Sequence, residues 1–173
     1  MMPALSKHPV TVRCSCGSVE FEALGEPILS AVCHCDDCQR GARQIEGLPQ
    51  ASPVLDPYGG TEYVLYRKDR FRCVKGAAQL CDYKLRDASP TRRVVAGCCN
   101  TAMFLDFQKG HWYSVYRARL GGDGPPPEVR IQTRFKPEGP AIPDDVRSYS
   151  TYPLWFIGKL MLARAAMLFS RTR

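Results

Sequence analysis

Short runs of alternating apolar and polar residues, broken by turn residues, dominate the first 120 positions. Residues 10–24, "VTVRCSCGSVEFEAL", alternate on both sides of a Cys-Ser-Cys-Gly turn, which predicts a hairpin with Val10, Val12, Val19 and Phe21 on its faces. "PILSAVCHC" supplies a further apolar strand, and "QRGARQIEG" after Cys38 suits a turn or two of helix capped by Asp36 or Asp37. "DPYGG" (56–60) is a turn, followed by a strand–turn–strand unit in "TEYVLYRKDRFRCVKG". "AQLCDYKL", "RRVVAGCC", "NTAMFLDF" and "HWYSVYRARL" continue the strand pattern with "RDASP" as a turn. Strand-length runs punctuated by Gly, Pro and Asp predict a mainly β, antiparallel architecture.

The pattern changes after residue 120. Residues 121–150 form a Gly- and Pro-rich excursion that carries one strand-like run, "EVRIQTRF". "LWFIGKLMLARAAMLF" (154–169) reads as a C-terminal helix of about residues 153–169, interrupted by Lys159 and Arg164. It is short of the roughly 20 apolar residues a membrane crossing needs. Apolar residues occupy most of its circumference, so packing on the domain or on a second subunit is the first reading, and contact with a membrane surface the second.

Length and composition add bounds. The 173 residues suit one domain, with 45% hydrophobic and 24% charged residues, as in a soluble globular protein. Over half of the net charge of +7 comes from Lys159, Arg164, Arg171 and Arg173 in an acid-free tail. A solvated helix end is the preferred account of it, and no nucleic-acid partner is expected. The nine cysteines are an odd number, and the N-terminus lacks an apolar stretch of signal-peptide length. Clustered thiols in a cytoplasmic, reducing compartment point to metal or catalysis rather than to disulfides.

Three clusters carry seven of the cysteines: Cys14 and Cys16; Cys33, Cys35 and Cys38; and Cys98 and Cys99. Soft thiolate ligands favour zinc over magnesium or calcium. Seven ligands fit one closed four-ligand site and one three-ligand site with an open position, and an open position is the mark of a catalytic zinc. One or two Zn²⁺ ions per chain are expected. His34 is a candidate fourth ligand or a support for the loop. Cys73 and Cys81 have no partner at ligand spacing and are expected to be small core residues. His8 and His111 carry no motif, and His111 reads as a strand-end residue.

Cys-x-Cys-Gly-x-Val-x-Phe (Cys14, Cys16, Gly17, Val19, Phe21), Cys-His-Cys-x-x-Cys and a late Cys-Asn-Thr resemble the glutathione-dependent formaldehyde-activating enzyme and centromere protein V family, in a bacterial branch marked by Cys-Cys-Asn-Thr. Gly76, Leu80 and Tyr83 are similar to its Gly–Leu–Tyr stretch, and the match spans about residues 10–120. The resemblance implies a β-tent fold with two zinc sites, with Cys14, Cys16 and Cys99 on the structural site and Cys33, Cys35 and Cys38 on the catalytic one. It also implies addition of glutathione to formaldehyde, a carbon–sulfur lyase reaction in reverse. One departure stands out: Ala96 falls where the family's late Cys-x-x-Cys has its first ligand. Three alternatives stay open. Cys98 supplies the missing thiolate, or turns to close the middle site, or the structural site is incomplete.

Two functions follow: a zinc-dependent carbon–sulfur lyase using a thiol such as glutathione, or a zinc-stabilised binding module without catalysis. An open middle site favours the first, and Cys98 or His34 as its fourth ligand favours the second. Arg40 and Arg43 are candidate partners for substrate carboxylates, with ordinary surface arginines as the default. A homo-oligomer is compatible with the sequence.

Overall fold

The computed structural model describes residues 9–170. His8, Arg171 and Arg173 lie outside them. Eleven strands form two sheets, and no closed barrel results. The smaller sheet consists of β1 (Val10–Arg13), β2 (Glu20–Ala23) and β5 (Phe71–Lys75), in the order β1-β2-β5. The larger contains β3 (Leu29–Cys33), β4 (Thr61–Arg67), β6 (Leu80–Tyr83), β7 (Thr91–Ala96), β8 (Thr101–Phe107), β9 (Trp112–Tyr116), β10 (Val129–Ile131) and β11 (Arg147–Ser148). Its order is β11-β10-β3-β4-β9-β8-β7-β6. The described residues also form two α-helices, α1 (Asp36–Glu46) and α2 (Leu154–Ser170), and four short 3-10 turns. The fold is mainly β with a C-terminal helix, as the alternation predicts.

Both faces of the large sheet are covered, and β4 shows why. Its residues alternate between two cores: Val64 and Tyr66 pack toward the small sheet, Tyr63 and Leu65 toward the helices. The first core joins Val12, Phe21 and Phe71 of the small sheet, and Val19 just before β2, to Val94, Met103, Phe104 and Val115. Phe71 stacks on Phe21 at 5.0 Å and meets Phe104 edge-on at 5.3 Å, geometries that aromatic quadrupoles favour. The second core sets Leu29, Ala31 and Ile131 against Ile45 of α1 and Phe156 and Leu160 of α2.

Two details depart from the sequence reading. β10 runs parallel to both β3 and β11, because the long excursion carries the chain across before it rejoins the sheet. In addition, the cap of α1 is Cys35 rather than Asp36 or Asp37. Its sulfur accepts the Cys38 N–H at 3.3 Å, and both aspartates sit in the first turn, where the helix dipole favours acids. The helix is also longer than a turn or two, at 11 residues.

Helix α2 buries only Phe156 and Leu160, and no helix among the described residues is long and apolar enough to cross a membrane. Three polar contacts pin it. Lys159 pairs with Glu128 at 2.6 Å, Arg67 donates to Ser170 Oγ, and His111 Nε2 lies 2.7 Å from the Leu160 carbonyl. Facing a carbonyl, Nε2 must carry the proton and donate. His111 therefore does more than end a strand.

Burial, only partly offset by that carbonyl and reinforced by Arg164, Lys68 and Arg67, lowers the His111 pKa. A lowered folded-state pKa gives stability that is present above the unfolded value of about 6.5 and is lost as pH falls through the folded one. His111→Gln should therefore show a shallower loss of melting temperature than wild type between about pH 7 and pH 5. Parallel curves would show that this contact does not hold the helix.

Candidate metal centre and active site

The first cysteine group forms where two hairpin ends meet. Gly17, at φ +75°, closes the β1–β2 turn, and Val19 N–H donates to Cys14 Sγ at 3.2 Å. The β7–β8 turn brings Cys98 and Cys99 to the same place, with Asn100 in the left-handed region at φ +49°. Because Cys98 and Cys99 lie on a tight turn and not in extended chain, adjacent side chains need not point apart. Both reach Cys14 and Cys16. Sulfur–sulfur distances are 3.6 Å (Cys14–Cys16), 3.9 Å (Cys14–Cys98), 3.4 Å (Cys16–Cys98) and 3.8 Å (Cys98–Cys99). All four sulfurs lie within 4.8 Å of one another and could hold a metal ion. Thr101 Oγ1 lies 3.0 Å from Cys99 Sγ and also contacts Ser15, which ties the two turns together. The Ser18 contacts, its hydroxyl first, pull the Cys16 thiol down to about 6.

The second group sits where β3 runs into α1. Cys33, Cys35 and Cys38 form a set within 4.8 Å, with Cys33 and Cys38 sulfurs 3.7 Å apart. Their electrostatics show how crowded they are. Hydrogen bonds from Cys33 and Cys38 pull the Cys35 thiol down to about 3, while the contact with Cys35 holds Cys33 well above the ordinary thiol value. Cys38 is pushed to about 12, its contact with Cys33 being outweighed by Cys35 and by burial. Each ionised sulfur thus opposes ionisation of its neighbours, and a nearby cation would relieve that repulsion. Burial keeps the Tyr63 phenol protonated, so its hydroxyl donates toward Cys38 Sγ at 3.7 Å.

His34 takes no part in the group. It is fully buried on the opposite side of the strand end, where a Cβ at Gly60 would come within 2.9 Å of its Cε1. Burial lowers its pKa, and neither ring nitrogen makes a well-formed hydrogen bond among the described residues. Gln39 locks the loop instead, donating to the His34 and Phe135 carbonyls, both at 2.7 Å. Among the described residues no fourth Cys, His, Asp or Glu joins the three sulfurs. They border a cavity of about 430 Å³ between the large sheet, α1 and α2.

Arg93 is the residue that sequence reasoning missed. It is 1% exposed, donates to the Asp37 carbonyl, and its positive charge is among the causes lowering Cys35. No acidic side chain pairs with it among the described residues. A Cβ at Gly41 would fall 1.9 Å from its Nε, so only glycine lets the guanidinium lie against α1. The only available signal was a period-2 placement in "RRVVAG", which puts Arg93 on the same face as Val95. Arg40 and Arg43, by contrast, stand outside the cavity, in contact with Asp37 and Gln39 respectively. Cys73 and Cys81 are exposed rather than in the core. β5 and β6 are edge strands, and only Phe71 of β5 is buried.

Known proteins were then compared with this geometry. Residues 9–48 match the family of the glutathione-dependent formaldehyde-activating enzymes. That segment contains Cys14, Cys16, Cys33, Cys35 and Cys38, while Cys98 and Cys99 lie beyond it. The motif resemblance to the family therefore holds over residues 9–48. No curated protein matches the chain. A crystal structure of a Rhodobacter sphaeroides protein is similar at 19% identity and a TM-score of 0.49, over 80% of this chain and 99% of that one.

Removing the buried positive charge tests its link to the three cysteines. In protein loaded with Zn²⁺, Arg93→Met should release metal from that group at roughly tenfold lower chelator concentration, a change of about 1.4 kcal/mol. The four-cysteine group should keep its metal. Unchanged chelator sensitivity would show that Arg93 only fills space.

Proposed function

We propose that this protein is a zinc-dependent enzyme acting on a thiol–carbonyl adduct, a carbon–sulfur lyase in the direction of adduct breakdown. One observation carries the reading: three thiols border a cavity, and among the described residues no fourth Cys, His, Asp or Glu closes them off. The donor sets suit zinc. A Zn–S bond of about 2.3 Å implies a tetrahedral sulfur–sulfur edge of about 3.8 Å; five of the nine sulfur pairs in the two groups lie at 3.4 to 3.9 Å and the others within 4.8 Å. Cys14, Cys16, Cys98 and Cys99 make the closed, structural site, and Cys33, Cys35 and Cys38 the reactive one.

Zinc bound by the three cysteines would favour a thiolate at its free position and polarise a neighbouring carbonyl. The chain's residues do the rest. Tyr63 and the Cys38 N–H fix two of the sulfurs, and Arg93 offsets the net negative charge of three thiolates around a dication. In the forward direction the thiol sulfur bonds to the carbonyl carbon, the C=O π pair moves to oxygen, and the thiol proton ends on that oxygen. The reverse breaks the same C–S bond and returns the proton to sulfur. The family match over residues 9–48 supports this class of chemistry. Nine free cysteines suit a reducing compartment such as the cytoplasm.

A second reading has its own support. Leu154, Met161, Leu162 and Phe169 of α2 are 90%, 62%, 73% and 78% exposed, as on a surface that a partner covers. A zinc-stabilised binding module would use that face, toward a second copy or a membrane surface, and need no turnover.

Exchange between thiol, aldehyde and adduct, followed by NMR with glutathione and formaldehyde and with simple alkyl pairs, separates the two. Wild type should exceed the spontaneous rate for at least one pair. Cys35→Ser should abolish the excess and cost one zinc, whereas Cys16→Ser should lose the other zinc and about 3 kcal/mol or more of stability. No acceleration with any pair would favour the binding module, and identical losses in both variants would end the two-site division.

A further inference from the structure

The cavity beside Cys33, Cys35 and Cys38 is built asymmetrically. Among the described residues its only charged lining residues are Asp37 and Arg93, both at the cysteine end, and Arg93 already donates to the Asp37 carbonyl. Away from that end the wall is largely hydrocarbon and aromatic, including Leu65, Leu105, Phe107, Trp112, Phe156 and Leu160. The last two come from α2, held over the cavity by the His111–Leu160 and Lys159–Glu128 contacts. At about 30 Å³ per atom, 430 Å³ holds on the order of ten to fifteen non-hydrogen atoms.

A tripeptide thiol with two carboxylates and an ammonium group is a poor match for this wall. Arg93, already donating to the Asp37 carbonyl, is one cation for two carboxylates, and Arg40 and Arg43 are not in the lining, so a second carboxylate would be buried unpaired at a cost. A reactive head at the sulfurs with an uncharged tail fits both ends.

We infer that the cavity binds an aliphatic chain of medium length carried on the thiol or the carbonyl partner, so that the preferred substrate is an apolar thiol–carbonyl adduct. This rests on the lyase reading for the reactive head, whereas the chain site stands on the wall residues alone. Chain recognition follows from area: each methylene removed from water should tighten binding by roughly two- to fourfold.

The test is calorimetric titration of the zinc-loaded full-length protein with n-alkanethiols of increasing length, with the matching n-alkanols, and with glutathione. Both series should tighten with each methylene along parallel slopes, thiols offset to higher affinity, and glutathione should bind more weakly than hexanethiol. Ile157→Asp, at a half-exposed position on the α2 wall, should flatten both slopes at unchanged zinc content. Leu105→Gln, on the opposite wall, provides a second reading should the first variant alter the helix. Parallel slopes without a thiol offset would support the chain site and overturn the metal-site chemistry. Flat slopes in wild type, slopes that survive both variants, or glutathione binding more tightly than every alkanethiol would overturn the inference.

Discussion

Seven sulfurs held in two groups at near-contact distances constrain everything around them. Thiolates that close repel one another, and in the three-cysteine group the mutual contacts lower the Cys35 thiol while holding Cys33 and Cys38 high. A bound cation removes the conflict, so folding and metal affinity become the same free energy. The fold reads as a device for assembling these sulfurs from distant parts of the chain. Cys14 and Cys98, separated by 84 residues, meet only because the small sheet packs on the large one.

The two groups differ in what surrounds them. The four-sulfur group is closed by backbone turns and by the Thr101–Ser15 contact, on the rim where the hairpin ends converge. The three-sulfur group lies on the other face of the large sheet, against α1 and under α2. Cys33 belongs to a strand, Cys35 caps a helix and Cys38 lies in its first turn, so rigid elements fix all three. The two cysteine groups thereby lie on opposite faces of one sheet.

Much of this was legible in the sequence, and the gaps have physical causes. Alternation in residues 10–24 and 61–75 located strands, because a half-buried strand has a strict period of two. The seven clustered cysteines stood out because soft ligands rarely crowd by chance. The partner of Cys98 was not legible, since adjacent residues in a turn can converge while those in a strand diverge. Nor was Arg93, since nothing in "TRRVVA" tells a buried arginine from the half-buried one beside it until α1 is placed over it at Gly41. The Cys35 cap was passed over because aspartates are the commoner caps, and a thiolate does the same work here. The parallel pairing of β10 depends on a long connection whose path carries no local signal.

The central claim is that one metal site is closed by protein and the other is not. X-ray absorption at the zinc edge reads the mean number of sulfurs per ion directly. The account predicts a value between three and four with a light-atom ligand present, rising to four when an alkanethiol is added. Four sulfurs per ion before any thiol is added, with no change afterwards, would contradict it.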